Sequence, residues 1–186
     1  MKSIGQGVRE TMCKLVIPSM QYDKQIQLFR KDFLINSNGD LVGCFGLKRM
    51  DDTNDWIKQL DDFSNAETCP EGFVPTTQFI YVRESDDKII GVIQIRHYFN
   101  ERIEKYFGNI GYSICPSERR KGYATKMLEA ALEYCKEIGL DKVLITCESD
   151  NEGSRRTILK NGGKYENTVH FGERDEYLER YWITLD

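Results

Sequence analysis

The chain has 186 residues, 40% of them apolar and 11% aromatic, which suits one domain over residues 1–186 with a substantial core and excludes a disordered chain. A net charge of −4 and a pI near 5.4 argue against a nucleic-acid binder or a membrane-surface protein, since both carry a basic excess. Any anion site must therefore be local.

Six cysteines, Cys13, Cys44, Cys69, Cys115, Cys135 and Cys147, show no CxxC or CxxxC pair, which reads as reduced thiols in the cytoplasm. There is no apolar run of about 18 residues, and residues 2–10 are polar and glycine-containing, unlike a signal peptide. With His97 and His170 as the two histidines and no close Cys/His spacing, no metal site is expected.

In chain order, residues 11–17 (TMCKLVI) alternate and stop at Pro18, as a first strand would. Residues 21–35 place Tyr22, Ile26, Phe29, Phe33 and Leu34 at helical spacing, and residues 51–63 repeat the pattern with Trp56, Ile57, Leu60 and Phe63, after a break at Asn38-Gly39. The loop 64–77 holds Pro70, Gly72 and Pro75. Residues 78–83 (QFIYVR) and 88–97 (KIIGVIQIRH) predict an antiparallel hairpin across a polar turn. A polar connector over 100–107 leads to a strand over 110–115 (IGYSIC) that ends at Pro116. Residues 123–138 carry Ala124, Met127, Leu128, Ala131, Leu132, Cys135 and Ile138 on one helical face, closed by Gly139, and residues 142–147 (KVLITC) make the next strand. Strand, helix and strand over 110–147 imply parallel neighbours joined by a right-handed crossover. A short helix over 154–160, capped by Asp150 or Asn151 and closed by Gly162-Gly163, and a strand over 177–185 complete the chain.

The informative stretch is PSERRKGYATKMLEAALEYCKEIGL, residues 116–140, where a charged run and one glycine precede a long amphipathic helix. Neither the phosphate loop GxxxxGK[ST] nor the dinucleotide fingerprint GxGxxG is present. What remains is a turn of Arg119, Arg120, Lys121, Gly122, Tyr123, Ala124 and Thr125 at a helix N-terminus, whose unpaired amides and dipole attract an anion.

Arg119-x-x-Gly122-x-Ala124 resembles the pyrophosphate-binding motif of the GNAT superfamily of acyl-CoA-dependent N-acetyltransferases. The likeness extends through the helix, Gly139, the following strand, Asn151-x-x-Ser154 and Lys160-Asn161-Gly162-Gly163, so that residues 110–165 fit as a unit. PEGFVPTT, IRHYFN and IGYSICPSERRKGYAT are similar to one bacterial subgroup of acetyltransferases. The resemblance implies an α/β (α+β) GNAT fold: a mixed antiparallel and parallel sheet of six to seven strands, splayed into a V and flanked by helices. It implies acetyl-CoA as cosubstrate, held by the turn at its pyrophosphate and by the edge amides of Ile114 and Cys115 along its arm. Asn151 would bond the arm, or simply cap its helix, with Ser154 beside it. A primary amine would attack the thioester directly, a backbone N–H near Ile114 stabilising the oxyanion.

Two positions depart from the family. Ile158 stands where many members carry a tyrosine acid, and Asn109 where a glutamate base is common. Candidates by position are His97 as base, Tyr165 as donor to the thiolate and Glu148 facing the wedge; Cys115 as an acyl carrier is disfavoured for want of an adjacent base. Replacing His97 by Ala is expected to slow turnover tenfold or more. The acidic stretch Asp51, Asp52, Asp55, Asp61 and Asp62 either draws a cationic acceptor or is solvated. Three readings stand: an enzyme acting on a small-molecule amine or, less simply, a protein amine; an acyl-CoA sensor without turnover; and a basic loop for RNA, which the acidic pI opposes. Tyr181-Trp182-Ile183 would serve either a homodimer or the core.

Overall fold

The computed structural model of the protein describes residues 12–37 and 41–185. Thr11, the polar segment 2–10 and the Asn38-Gly39 break lie outside the described residues. One sheet of seven strands runs through the molecule: β1 (Cys13–Val16), β2 (Thr76–Arg83), β3 (Lys88–Arg96), β4 (Ile110–Ile114), β5 (Lys142–Glu148), β6 (Lys164–Phe171) and β7 (Glu176–Thr184). Their spatial order is β1-β2-β3-β4-β5-β7-β6. All neighbours are antiparallel except β4 and β5, which are parallel as predicted.

The helices divide between the two faces. On one lie α1 (Asp23–Asn36) and α2 (Thr53–Ser64), whose buried Ile26, Phe29, Phe33, Trp56 and Leu60 pack on Ile80, Val82, Ile89 and Val92. On the other, α3 (Tyr123–Glu137) sets Met127, Leu128, Ala131 and Cys135 against Phe79, Tyr81, Ile93, Ile95 and Ile114. Odd and even residues of β2 thus feed different cores, as the two-residue period of a strand requires. Helix α4 (Glu152–Lys160) follows β5 and seals the same side as α3 with Ile158. Asp52 caps α2 by accepting from the Asn54 N–H at 2.7 Å, so the predicted start at residue 51 moves inward.

Two segments differ from the sequence-based expectation. The connector before β4 closes into a helical turn of π type over Ile103–Phe107, placed by Asn100, whose Oδ1 accepts from the Ile103 N–H at 2.9 Å. Strand β6 carries none of the alternation that marks a half-buried strand, because it forms the sheet edge with nearly every residue exposed. Tyr181 and Ile183 are core residues. All six cysteines are free thiols, and among the described residues no helix is long and apolar enough to cross a membrane.

Candidate active site

Strands β4 and β5 touch as neighbours at a single pair, Ile110 with Ile145. The seam is stitched by Asn109, which is 2% exposed. Its N–H donates to the Leu144 carbonyl at 2.7 Å, its Oδ1 accepts from the Leu144 N–H at 2.9 Å, and its Nδ2 donates to the Arg96 carbonyl at 3.1 Å. The two side-chain bonds require a group that both donates and accepts. A glutamate could not donate to Arg96, so the amide at this place closes the seam instead of serving as a base. Beyond the seam the strands part and leave a wedge open toward their C-terminal ends.

Alternation along β4 decides which groups face the wedge. The Cys115 N–H donates to the Ile90 carbonyl of β3 at 2.8 Å, so its amide is spent, correcting the expectation that it serves a cofactor arm. Ile114, one residue back, directs its backbone the other way, and its carbonyl accepts from Arg119 Nε at 3.3 Å. Tyr112 shares that backbone orientation. The opposite face of β4 is covered by the loop 41–46. Val42 bonds Ser113 Oγ through both its N–H and its carbonyl, and a Cβ on Gly43 would run into the Gly111 carbonyl.

After β4 a turn of 3-10 helix, Pro116–Glu118, leads to Arg120 and Gly122, both in the left-handed region at φ 63° and 84°. Gly122 takes that conformation without penalty and begins α3, and no side chain caps the helix. The amides of Tyr123, Ala124 and Thr125 therefore have no intrahelical acceptor, the first helical bond being the long Lys126 N–H to Gly122 carbonyl contact of 3.4 Å. The result is a concave row of N–H groups at the positive end of a helix dipole, at the mouth of the wedge.

The turn is clamped from below by α1. Asp32 Oδ2 accepts from Cys115 Sγ at 2.6 Å, Ser117 Oγ at 2.9 Å and the Ser117 N–H at 3.2 Å. Burial opposes ionisation of this carboxyl, yet the Cys115, Asn36 and Ser117 donors hold it at about 2. The Cys115 thiol is pushed up to about 11 by burial and by that carboxylate, so it is not a nucleophile. The guanidinium of Arg119 lies over the Phe33 ring, 5.5 Å from its centroid.

The charged run is not a uniformly solvated face. Glu118 is 5% exposed and pairs with Lys88 at 2.6 Å, Lys121 at 2.9 Å and Arg83 at 3.2 Å. Lys121 is thus turned toward Glu118, Arg119 toward Ile114 and Phe33, and Arg120 stays exposed. Cations still outnumber carboxylates around the turn, and the first amides of α3 add the positive end of the helix dipole to them.

On the far side of the wedge, Asn151 caps α4, its Oδ1 accepting from the Ser154 N–H at 3.0 Å. The Ser154 hydroxyl lies 2.9 Å from the Tyr112 hydroxyl, a contact between β4 and α4 across the wedge. Burial raises the Tyr112 phenol to about 12. Its register on β4 is the signal that sequence reasoning passed over.

The two predicted catalytic residues are not brought together with this site. His97 follows β3 with its ring turned toward β2, Nε2 lying 2.8 Å from Thr77 Oγ1, which in turn lies 2.9 Å from Tyr134 OH. Burial lowers its pKa, keeping the ring neutral. Tyr165 lies on β6, separated from β4 by β7 and β5, with its hydroxyl 2.9 Å from Thr168 Oγ1. Neither side chain points into the wedge. Of the acidic stretch, Asp51 pairs with Arg30 at 2.6 Å and Asp52 caps α2. Asp61 lines a cleft of about 290 Å³ with Ile57, Leu60, Thr77 and Tyr134, beside the start of β2. Glu148 lines a second one of about 300 Å³ with Asp150, Asp175 and Glu176, at the C-terminal end of β5.

The same architecture occurs in known proteins. The family model "Acetyltransferase (GNAT) domain" matches residues 30–164. The uncharacterized N-acetyltransferase YnaD of Bacillus subtilis is 32% identical over 116 residues, covering 56% of this chain and 66% of YnaD. YoaA of the same organism, also an uncharacterized N-acetyltransferase, is 25% identical over 138 residues, 74% of each chain. Among solved structures, the microcin C7 self-immunity acetyltransferase MccE, in complex with acetyl-CoA and AMP, superposes with a TM-score of 0.66 at 17% identity over 92% of both chains. YncA of Salmonella typhimurium, a putative acetyltransferase with its cofactor acetyl-CoA, gives 0.64 at 14% identity over 94% of both. An acetyltransferase from that organism that modifies the N-terminal serine of ribosomal protein L7/L12 gives 0.65 at 16% identity, over 95% of this chain and 97% of that one. With the family model spanning the charged turn, the wedge and α4 alike, the chain belongs to the GNAT superfamily of acetyl-CoA-dependent N-acetyltransferases.

Proposed function

We propose that the protein transfers the acetyl group of acetyl-CoA to a primary amine, most simply that of a small molecule, by direct attack of the amine on the thioester. The observation that carries this reading is the uncapped α3 N-terminus, with two left-handed residues before it, opening onto a wedge where a strand partner is missing. A diphosphate fits the row of amides from Gly122 to Thr125. The amide-bearing arm of the cosubstrate then supplies the partner that β4 lacks, meeting the backbone of Ile114 and Tyr112 on the side turned away from β3. The developing oxyanion would be met by a β4 amide. The acidic concavity of Glu148, Asp150, Asp175 and Glu176, at the end of β5, favours a cationic acceptor.

The amine must lose its proton, since a pKa of about 10 leaves well under about one part in a hundred neutral at pH 7. Neither His97 nor Tyr165 faces the wedge to take it, and we assign that step to water. The test is calorimetric titration of acetyl-CoA into the wild type, into Gly122→Val and into the triple variant Arg119→Gln, Arg120→Gln, Lys121→Gln, followed by thiol release with a panel of amines and short peptides. Gly122→Val should cost at least tenfold in affinity, more than the triple variant, because the backbone forms the binding face. Unchanged affinity in both variants would overturn the reading. A peptide turned over faster than any small amine would move the acceptor to proteins.

A further inference from the structure

The reaction proposed above ends with a sulfur leaving as thiolate, and the α4 position that carries a tyrosine in related proteins is here Ile158, wholly buried beneath Gly163 and without a donor. One helical turn earlier, on the same face of α4, stands Ser154, and its hydroxyl meets a phenol that arrives from the opposite strand. Tyr112 lies two residues past the seam at Ile110, where the wedge is narrowest, so an arm entering from the α3 turn brings its thioester end toward this ring. The pair spans the wedge: Tyr112 from β4, Ser154 from α4, with Thr157 one turn further on within reach of the phenol.

We propose that Tyr112 is the hydrogen-bond donor to the leaving sulfur of coenzyme A and that Ser154 is the residue that positions it. This rests on the acetyl-transfer reading. The new N–C bond forms as the C–S bond breaks, the electron pair stays on sulfur, and the proton lost by nitrogen leaves to water. The 2.9 Å contact between the two hydroxyls can run in either direction, and the phenol also makes a long 3.5 Å donor contact to the Ser154 carbonyl. In the proposed arrangement the Ser154 O–H donates to the phenol oxygen, and the phenol O–H gives up that long contact and turns to sulfur. A phenol at about 12 is a weaker acid than a thiol near 8.5, so Tyr112 keeps its proton and lends a hydrogen bond, in the manner of an oxyanion donor.

The experiment compares wild type, Tyr112→Phe and Ser154→Ala in acetyl-CoA binding and in turnover with the best amine of the panel. Tyr112→Phe should lower kcat about a hundredfold, as loss of one preorganised donor does, while the dissociation constant for acetyl-CoA moves less than about threefold. Ser154→Ala should lower kcat by a smaller factor, about five to tenfold, without loss of binding. The selenoester analogue of acetyl-CoA releases a far weaker base, so the Tyr112→Phe defect should shrink with it; a purely structural role would leave the defect equal for both donors. Full activity in Tyr112→Phe, or an equal defect with both donors, overturns the proposal. Wild-type protein that fails to bind acetyl-CoA overturns the underlying reading instead, so the two failures are distinguishable. If Tyr112→Phe melts far below wild type, the selenoester comparison on Ser154→Ala decides between the same outcomes.

Discussion

Replacing Asp32 by Asn tests whether α1 holds the turn before α3 through charge. The carboxylate takes three donors from the turn, one of them a main-chain N–H, and sits at about 2 against an ordinary 3.8. That depression corresponds to about 2.5 kcal/mol at pH 7, and partial exposure of Asp32 reduces it to about 1.5 kcal/mol. A group whose folded pKa is depressed contributes above its unfolded value and loses the contribution as pH falls through the folded one. The deficit of Asp32→Asn should therefore be full at pH 7, decline below about pH 5 and vanish near pH 2. Urea unfolding followed by far-ultraviolet circular dichroism, at a series of pH values, reads the difference directly, with a Tm loss of roughly 3–6 °C at pH 7 as a second measure. A deficit that stays constant across the series would show that packing, not charge, sets it. No deficit at pH 7 would show that the three bonds contribute nothing net.

Asn109→Asp places a carboxylate against the Arg96 carbonyl and removes the side-chain donor to it, so it should destabilise the fold by about 3 kcal/mol, a Tm drop of roughly 6–12 °C; a loss under 3 °C would contradict the stitch. His97→Ala should change kcat less than about threefold, since its ring faces Thr77 and not the wedge, and a tenfold loss would return the residue to the reaction. Because burial lowers the His97 pKa, the folded state binds its proton less readily than the unfolded chain does. Stability should fall as pH drops below about 6.5, and this slope should be absent in the alanine variant.

The helices and the hairpin were legible because their apolar positions repeat at 3.6 or 2 residues, and those faces meet the core except at Leu34, at the end of α1, which is 49% exposed. The turn over residues 116–125 was legible too, since its chemistry is local: a glycine, a helix start and a strand end lie within ten positions. Strand β6 was missed because an edge strand exposed on both faces has no reason to alternate. His97 is a candidate by residue type and by its place at the end of the strand beside β4, and Tyr165 by its place just past Gly163, while the contacts that place them run to Thr77 and to the sheet edge. Tyr112 with Ser154, and Asp32 with Cys115, bring together residues far apart in the chain, and no periodicity encodes such a meeting. Lys121 looked free for a ligand because the burial of Glu118, three residues earlier, has no signature in composition.

The single backbone pair between β4 and β5 makes the centre of the sheet its narrowest isthmus, with β1–β4 on one bank and β5, β7 and β6 on the other. A pantetheine arm laid between them would act as a borrowed eighth strand, bridging both banks. Rigidity would then track occupancy. At a hundredfold excess over the dissociation constant such a guest adds about 2.7 kcal/mol by mass action, so resistance to proteolysis would rise and fall with the supply of the acyl donor.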